Sequence, residues 1–427
     1  MPSVAFHTLG CKVNQYDTQA MLECFVANDY TVNSFDEKSD VYVINTCTVT
    51  GLGEKKSLQT IRRAIKTNPD ADIVVAGCLA QKDGKGLLDR GATLVVGTNR
   101  RHEVVELLHQ AIANKTQICA VGDVRKILFE RLNITKDETH TRAVMKIQEG
   151  CDRYCSFCII PFVRGGLRSR PLEDIADESK RLFEAGYQEI VLTGIHLASY
   201  GKDLEEAVTL QHAIEHIDDR IKRIRLGSLE PLVVTEEFVQ FLATRPAICP
   251  QFHLSLQSGC AETLRRMNRR YSPEQYFDAV SLLRKYFPTC AITTDIIAGF
   301  AGETQAEFDE TFAFVKKVQF GRIHVFPYSE RAGTKAVTLP NPIDKFIRSQ
   351  RAKTLISLGH EMMDTYAKQF LNQEVSVLFE QCKNGKSHGV TPEYMNVSVE
   401  GEQNGIQQVR LLEWDNEKEQ FSGEIVD

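Results

Sequence analysis

The chain has 427 residues, of which 42% are hydrophobic and 25% are charged, as in ordinary globular proteins. This length predicts two to four domains, and no apolar run approaches the roughly 18 residues that a membrane span requires. The N-terminus begins directly with a strand pattern, so we predict no signal peptide. Twelve cysteines without an export signal favour reduced thiols and metal sites in the cytoplasm over a disulfide framework.

The net charge of −6 is unevenly distributed along the chain. Residues 368–427 contain five Lys and Arg against eleven Asp and Glu, which accounts for the whole −6. The preceding residues therefore carry equal numbers of positive and negative charges, and they can include local basic patches. Average charge does not exclude a nucleic-acid partner, because local clusters decide that question.

Residues 1–98 alternate between strand and helix patterns. We predict strands at 4–9, 41–45, 73–76 and 94–96, with helical spacing of apolar residues at 15–28 and 56–67. Such alternation predicts an α/β domain with a parallel sheet. Ligands bind beyond the carboxyl ends of the strands in sheets of this kind.

Three cysteines occupy that location. Cys11, Cys47 and Cys78 directly follow the first three predicted strands, and glycines precede Cys11 and Cys78. A cysteine at a strand end is often simply a small buried residue without a ligand. Its repetition at three successive strand ends favours a shared metal cluster. We call these three residues the strand-end trio.

The pattern weakens after residue 98 and recovers near residue 141. We predict one helix at 102–113, and a connector at 121–140 that ends a first domain at residue 120. Within a second domain, 141–367, six strand patterns alternate with helices and predict a partial (β/α) barrel, open on one side. These strands lie at 143–147, 189–193, 224–227, 252–255, 292–297 and 324–326.

The loop after the first barrel strand contains Cys151, Cys155 and Cys158 in a C-x3-C-x2-C arrangement, here called the loop trio. Soft thiolates favour zinc or iron–sulfur clusters. Zinc sites usually close with four ligands in two close pairs, whereas the next cysteine in this chain is Cys249. We therefore favour a 4Fe–4S cluster with one iron open to a small molecule.

Loops after the later strands contain polar and glycine residues on the same predicted face of the barrel. The candidates for binding a small molecule are Thr193, Gly194, Glu230, Gln257, Ser258 and Asp295. Basic residues follow two of these loops, and charges so placed can neutralise RNA phosphates. The candidates for RNA binding are Arg164, Arg168, Arg170, Arg269 and Arg270.

Residues 368–427 change character again. Short alternating strands at 374–379, 394–399, 407–411 and 423–426 are separated by turn residues. This pattern predicts a small β-barrel as a third domain.

The loop trio, with Phe157 before its last cysteine, resembles the signature of radical S-adenosylmethionine (SAM) enzymes. Residues 150–165 resemble the methylthiotransferase family in particular, and residues 8–17 resemble its branch that modifies threonylcarbamoyladenosine in tRNA. Residues 389–394 resemble the family's RNA-binding TRAM barrel. The resemblance implies a flavodoxin-like N-terminal domain, a partial (β/α)6 radical SAM barrel and a C-terminal TRAM barrel.

The resemblance also implies the cofactors. The loop trio would hold a 4Fe–4S cluster that binds SAM, with Phe157 at the adenine and Thr193 and Gly194 at the methionine part. The strand-end trio would hold a second 4Fe–4S cluster that delivers sulfur, and a second SAM would supply the methyl group. An electron donor such as flavodoxin or ferredoxin is implied. The usual Gly-Gly-Glu is absent here, since residues 193–195 read Thr-Gly-Ile.

The implied product is a 2-methylthio derivative of the modified adenosine beside the anticodon. The chemistry is consistent, because a hydrogen on an aromatic ring carbon is too weakly acidic for acid–base side chains and calls for cofactor chemistry. Two alternatives stay open. The same chemistry could act on isopentenyladenosine or on a ribosomal-protein aspartate, or the chain could be a non-enzymatic RNA-binding iron–sulfur protein that carries electrons or senses redox state.

Overall fold

The computed structural model describes residues 1–125, 127–132, 134–135, 141–205 and 207–426. Its described part is an α/β fold with a parallel sheet, a partial barrel and a small closed β-barrel, as predicted. No helix in these ranges has the length and apolar character needed to cross a membrane. The predicted connector lies partly outside the described residues, and its described part contains neither helix nor strand.

The N-terminal sheet has six parallel strands in the order β2-β1-β3-β4-β5-β6. The strands are β1 (Ser3–Thr8), β2 (Thr31–Asn33), β3 (Val41–Thr46), β4 (Asp72–Gly77), β5 (Leu94–Val96) and β6 (Ile118–Ala120). The helices are α1 (Lys12–Val26), α2 (Gly51–Thr67), α3 (Cys78–Leu88) and α4 (Val104–Asn114). The four predicted strands are present, whereas β2 and β6 were missed because they lie at the sheet edges and are only partly buried.

The central unit contains six parallel strands and one short antiparallel strand. In chain order the strands are β7 (Ala143–Glu149), antiparallel β8 (Arg168–Ser169), β9 (Glu189–Gly194), β10 (Arg223–Leu226), β11 (Gln251–His253), β12 (Ala291–Ala298) and β13 (Arg322–Pro327). Single parallel bridges at Ile224–Ile248 and Leu229–Leu254 join β10 to the neighbourhood of β11. The predicted partial barrel is confirmed.

Helices connect the strands of this barrel, and most of them cover its outside. They are α5 (Ile160–Arg164), α6 (Leu172–Glu184), α7 (Leu210–Glu215), α8 (Glu236–Ala243), α9 (Ala261–Arg266), α10 (Pro273–Tyr286), α11 (Gln305–Val318) and α12 (Lys345–Lys368). Capping boxes start α7, α10 and α11, which satisfies backbone N–H groups that have no partner within the helix.

Helix α1 belongs to two hydrophobic cores. Its residues Met21 and Phe25 pack in the core of the N-terminal sheet, whereas Tyr16 and Ala20 pack in the core of the barrel. Between these contacts, Asp17 is buried and pairs with Arg101, Lys146 and Arg164. The first helix of the chain thus fixes the sheet against β7.

The C-terminal barrel is closed, in the order β14-β15-β16-β18-β17. Its strands are β14 (Glu374–Lys383), β15 (Lys386–Val390), β16 (Asn396–Glu400), β17 (Gly405–Asp415) and β18 (Gln420–Ile425). Side chains from the starts of the central strands dock against it: Arg223 donates to the Val390 carbonyl (3.0 Å) and Arg225 to that of Pro392 (2.8 Å). The small barrel therefore sits at the amino ends of the central strands, opposite the loop trio.

Candidate active site at the junction of the two cysteine trios

The loop trio follows β7 through a turn that only glycine fits. Gly150 has φ +72°, and a Cβ there would lie 1.7 Å from the Gly166 carbonyl oxygen. The loop is then held by backbone hydrogen bonds, from Cys151 N to the Gly165 carbonyl (3.0 Å) and from Ser156 N to that of Met267 (2.9 Å). These contacts fix the backbone that presents the three thiols.

Charged side chains surround the thiols at the mouth of the barrel. The Arg269 guanidinium donates to the Cys155 sulfur (3.2 Å) and lies 3.7 Å from Glu230. Glu230 also pairs with Arg153 (3.1 Å) and His196 (3.4 Å). Burial opposes ionisation of Glu230, but His196, Arg269 and Arg153 outweigh it and lower the pKa of this carboxyl to about 2. The mouth thus contains a fixed negative charge between cations.

The other predicted small-molecule contacts include Phe157 in the cysteine loop and residues near the carboxyl ends of the barrel strands. Phe157 packs edge-on against Phe300, with ring centroids 6.2 Å apart. Thr193 and Gly194 end β9 beside Gln148, and a Cβ at Gly194 would lie 2.8 Å from that of Gln148. Asp295 lies on β12, where it faces His253 at 3.4 Å. These residues stand at the carboxyl half of the strands, where ligands of such barrels bind.

The neighbouring predicted contacts Gln257 and Ser258 differ in burial. Gln257 is half-buried and has φ +68°, with its N–H donated to the Asp295 carbonyl. Ser258 is fully buried, and its hydroxyl bonds Thr311 on α11 (3.0 Å) and accepts from the Cys260 N–H. The prediction that Ser258 contacts a small molecule is wrong in this structure, because its hydroxyl is used to start α9 and hold α11.

The strand-end trio lies at the carboxyl edge of the N-terminal sheet. Cys11 is the N-cap of α1, Cys78 is the first residue of α3, and Cys47 follows β3. A Cβ at Gly10 would lie 3.1 Å from the Cys47 sulfur, which shows how closely the first two loops approach. Positive helix ends at Cys11 and Cys78 favour thiolates.

Burial acts in the opposite direction on the Cys78 thiol. It raises the pKa of Cys78 to about 11, and the neighbouring Cys11 and Cys47 sulfurs add to the effect. In the loop trio, burial likewise raises the pKa of Cys151 to about 11 and that of Cys158 to about 12. A metal that binds thiolate must therefore displace these protons. The free energy of metal binding must also offset the cost of burying three negatively charged thiolates.

The two trios meet at one short segment, residues 159–164. Cys78 packs against Ile159, which directly follows Cys158, and against Val163. Arg164, at the end of that segment, donates to the Cys78 sulfur (3.3 Å). A second contact joins the loop after Cys47 to the loop after β13, where Gly51 N donates to the Ser329 hydroxyl (3.0 Å). The cysteines predicted from distant parts of the sequence are thus adjacent.

The donor sets fit iron–sulfur clusters. Each trio supplies three thiols to one region, and an arginine donates to one sulfur of each, as expected where a sulfur carries negative charge. Within the described ranges, no three His, Cys, Asp or Glu side chains are grouped tightly enough for a single metal ion.

Similarity to known proteins decides the family. The model of "Uncharacterized protein family UPF0004" matches residues 3–97 and that of the "Radical SAM superfamily" matches residues 145–315. The threonylcarbamoyladenosine tRNA methylthiotransferase of Bacillus subtilis is 40% identical over 416 residues, which cover 95% of this chain and 92% of that protein. The chain belongs to the radical SAM tRNA methylthiotransferase family.

Other relatives of this methylthiotransferase differ in the substrate that their names give. The tRNA-2-methylthio-N(6)-dimethylallyladenosine synthase of Methylacidiphilum infernorum is 33% identical, over 89% of this chain and 84% of that protein. Among solved structures, the radical SAM methyltransferase TsrM from Kitasatospora setae matches with a TM-score of 0.56 and 16% identity, over 77% of this chain and 74% of that one. This second similarity shows the fold alone. As a radical SAM enzyme, the methylthiotransferase uses a 4Fe–4S cluster and SAM, so the non-enzymatic alternative is set aside.

Three of the predicted RNA-binding arginines are in the interior of the methylthiotransferase. Arg164, Arg168 and Arg170 are at most 5% exposed. Arg164 pairs with Glu149 (2.8 Å) and Arg170 with Glu178 (2.8 Å). The prediction that these three side chains contact RNA phosphates is wrong for this structure, because their positive charges are paired or enclosed inside the protein.

The two remaining arginines differ in their exposure to solvent. Arg269 is directed at Cys155 and is largely buried, whereas Arg270 is exposed. Arg270 stays a candidate for RNA phosphate binding.

Sequence reasoning missed a buried ion cluster behind segment 159–164. Its members are Asp17, Arg101, Glu130, Lys146, Glu149 and Arg164, and Arg168 lies close to it. These seven residues carry four positive and three negative charges. A thiolate at Cys78, bonded by Arg164, would balance the count. Only the high proportion of charged residues in otherwise apolar elements could have suggested the cluster.

Proposed function

We propose that this methylthiotransferase inserts sulfur and a methyl group at carbon 2 of N6-threonylcarbamoyladenosine, next to the anticodon of tRNA. The observation that supports this most is the meeting of the two trios at segment 159–164. Identity of 40% to an enzyme named for threonylcarbamoyladenosine, over 95% of this chain, supports the choice of substrate.

Each trio has its own role in this proposal. The loop trio would hold the cluster that binds SAM, and the strand-end trio would hold a second 4Fe–4S cluster. When bound, these clusters and two equivalents of SAM supply the radical, sulfur and methyl-transfer chemistry that side chains cannot supply. Electrons would come from a donor such as flavodoxin or ferredoxin, and the reaction would take place in the cytoplasm.

The protein's own contribution is positioning and charge. Arg269 and Arg164 each donate a hydrogen bond to one cysteine sulfur, which stabilises the thiolate form. Gly77, with φ +92°, lets the chain turn directly before Cys78. Glu230 holds Arg153 and His196 at the mouth of the barrel. Phe157 and Thr193 would line the SAM site, with Gly194, Gln257 and Asp295 as further contacts.

We assign these roles to domains at 1–120, 141–367 and 368–427, with a connector at 121–140. The observed elements agree with such a division, since β6 ends at Ala120 and β7 begins at Ala143. Helix α12 ends at Lys368, shortly before β14 begins at Glu374. The last domain would act as a TRAM-type RNA-binding barrel.

Mass spectrometry of tRNA nucleosides tests the substrate. Cells that lack the gene should lose 2-methylthio-N6-threonylcarbamoyladenosine, and the intact gene should restore it. A gene in which the strand-end trio is replaced by alanine should not. A second candidate is dimethylallyladenosine, because relatives at 32–33% identity are named for it. Loss of that methylthio nucleoside alone would replace the proposed substrate, and no change in either would contradict both.

A further inference from the structure

Two aromatic side chains beside the loop trio are exposed to solvent. Tyr154, between Cys151 and Cys155, is 57% exposed, and Phe162, shortly after Cys158, is 55% exposed. Their ring centroids lie 6.0 Å apart at an interplanar angle of 77°. Tyrosine is enriched at interfaces, because its ring is apolar while its hydroxyl can stay in water. We call these two residues the aromatic pair.

The backbone is held in an unusual conformation to present Tyr154. Its φ is +48°, in the left-handed region that non-glycine residues rarely occupy. Asn268, itself at φ +60°, donates to the Tyr154 carbonyl (2.9 Å). Such backbone strain persists only where the surroundings enforce it, and it concentrates at functional sites.

The surroundings of the aromatic pair favour an RNA partner. Arg270 lies two residues after Asn268, is exposed, and has no ion pair among the described residues. Proteins that bind single-stranded nucleic acid combine such cations with aromatic rings on which bases stack. Val49 and Leu52, which follow Cys47 on the other side of the junction, are also exposed (46% and 62%). Apolar surface therefore borders the site from both cysteine loops.

We propose that the aromatic pair is a stacking platform for the RNA base next to the one being modified. The inference rests on the proposed function only in taking an RNA loop as the substrate. An adenosine that reaches the junction must leave its neighbours in the loop, which then lose a stacking partner. Tyr154 replaces that partner, and Phe162 supports the Tyr154 ring edge-on. Arg270 contacts a phosphate of the same loop.

The test measures binding of anticodon stem-loop RNA that contains N6-threonylcarbamoyladenosine. Tyr154→Ala and Phe162→Ala should each raise the Kd, for Tyr154→Ala by roughly 5- to 150-fold, the range for loss of one stacked base. Tyr154→Phe keeps the ring and should bind like the unchanged protein. Ile112→Ala is the matched control, since Ile112 is 44% exposed at the end of α4, away from the cysteine loops. Iron content and the visible spectrum of each variant show whether the loop trio is intact.

Abasic RNAs separate stacking from a structural role. Two further stem-loops lack the base on the 5′ or the 3′ side of the modified adenosine. One of them should bind more weakly to the unchanged protein but equally well to Tyr154→Ala, because the two changes remove the same contact. Equal losses for Tyr154→Ala on all three RNAs, or an unchanged Kd, would overturn the inference.

Two further outcomes distinguish the neighbouring possibilities. If Tyr154→Ala slows reduction by flavodoxin while leaving the RNA Kd unchanged, the pair belongs to a protein interface and the inference fails. If the unchanged protein binds none of these RNAs, the proposed function itself fails, whatever the variants do.

Discussion

Replacing Arg164 with alanine would test whether the buried ion cluster holds the two units together. The Arg164 side chain is fully buried and donates to Asp17 (3.1 Å), Glu149 (2.8 Å) and Cys78 (3.3 Å). Removing one partner of a buried ion pair costs about 3–5 kcal/mol, because the other charge stays buried without it. Lys146 still neutralises part of this charge through its contacts with Asp17 and Glu149. We therefore expect the lower end, about 3 kcal/mol of unfolding free energy.

Urea unfolding of the metal-free protein, followed by circular dichroism at pH 7, measures this loss. Arg164→Lys keeps the positive charge and should lose less than Arg164→Ala. Arg410→Ala is the matched control, since Arg410 is half-exposed and pairs with Glu374 and Glu424 at the surface. Its unfolding midpoint should not shift measurably. If Arg164→Ala unfolds at the same urea concentration as Arg410→Ala, the ion cluster does not stabilise the junction and the reasoning is refuted.

Three further predictions concern the clusters and pH. Replacing the strand-end trio by alanine should leave about four iron atoms per chain and preserve reductive cleavage of SAM while abolishing methylthio product; iron analysis showing an unchanged content would contradict the two-cluster proposal. Gly77→Ala places a Cβ 2.3 Å from the Asn45 side-chain oxygen and should lower the iron content, whereas Gly166→Ala, with nothing within 4 Å, should not. Burial opposes ionisation of Glu130, but Arg101 and His102 outweigh it and lower the pKa of its carboxyl to about 2. Its charge therefore stabilises the fold above the unfolded pKa of about 4.5, by about 3 kcal/mol, and about a quarter of this is lost by pH 4. The difference in urea midpoint between the unchanged protein and Glu130→Gln should shrink accordingly, and a constant difference from pH 7 to pH 4 would contradict the assignment.

The grouping of six cysteines into two trios could be predicted, because it depends on local spacing and on where strands end. A spacing of three and two residues defines the loop trio, and parallel strands bring their carboxyl ends to one edge wherever they occur in the sequence. The short edge strands β2 and β6 could not be predicted, because they are only partly buried, whereas the equally short β5 is buried throughout and reads as an apolar run.

The roles of the arginines could not be predicted for a different reason. A cation near a cluster motif is compatible with an exposed phosphate contact and with a buried ion pair. At Arg164 the buried role depends on Asp17, 147 positions earlier in the chain, as well as on the nearer Glu149. The exposure of Tyr154 likewise depends on Asn268, 114 positions away. Sequence patterns describe one element at a time, whereas these contacts join separate elements.

The double membership of α1 limits how this protein can be divided. A fragment ending near residue 120 would keep Tyr16 and Ala20 but expose them to water, because their packing partners lie in the barrel. A fragment that begins at β7 would in turn lack the helix that covers part of that barrel core. Neither half is a self-sufficient module. Exchange of N-terminal segments between family members is therefore expected to succeed only when α1 and the strand it packs on are exchanged together.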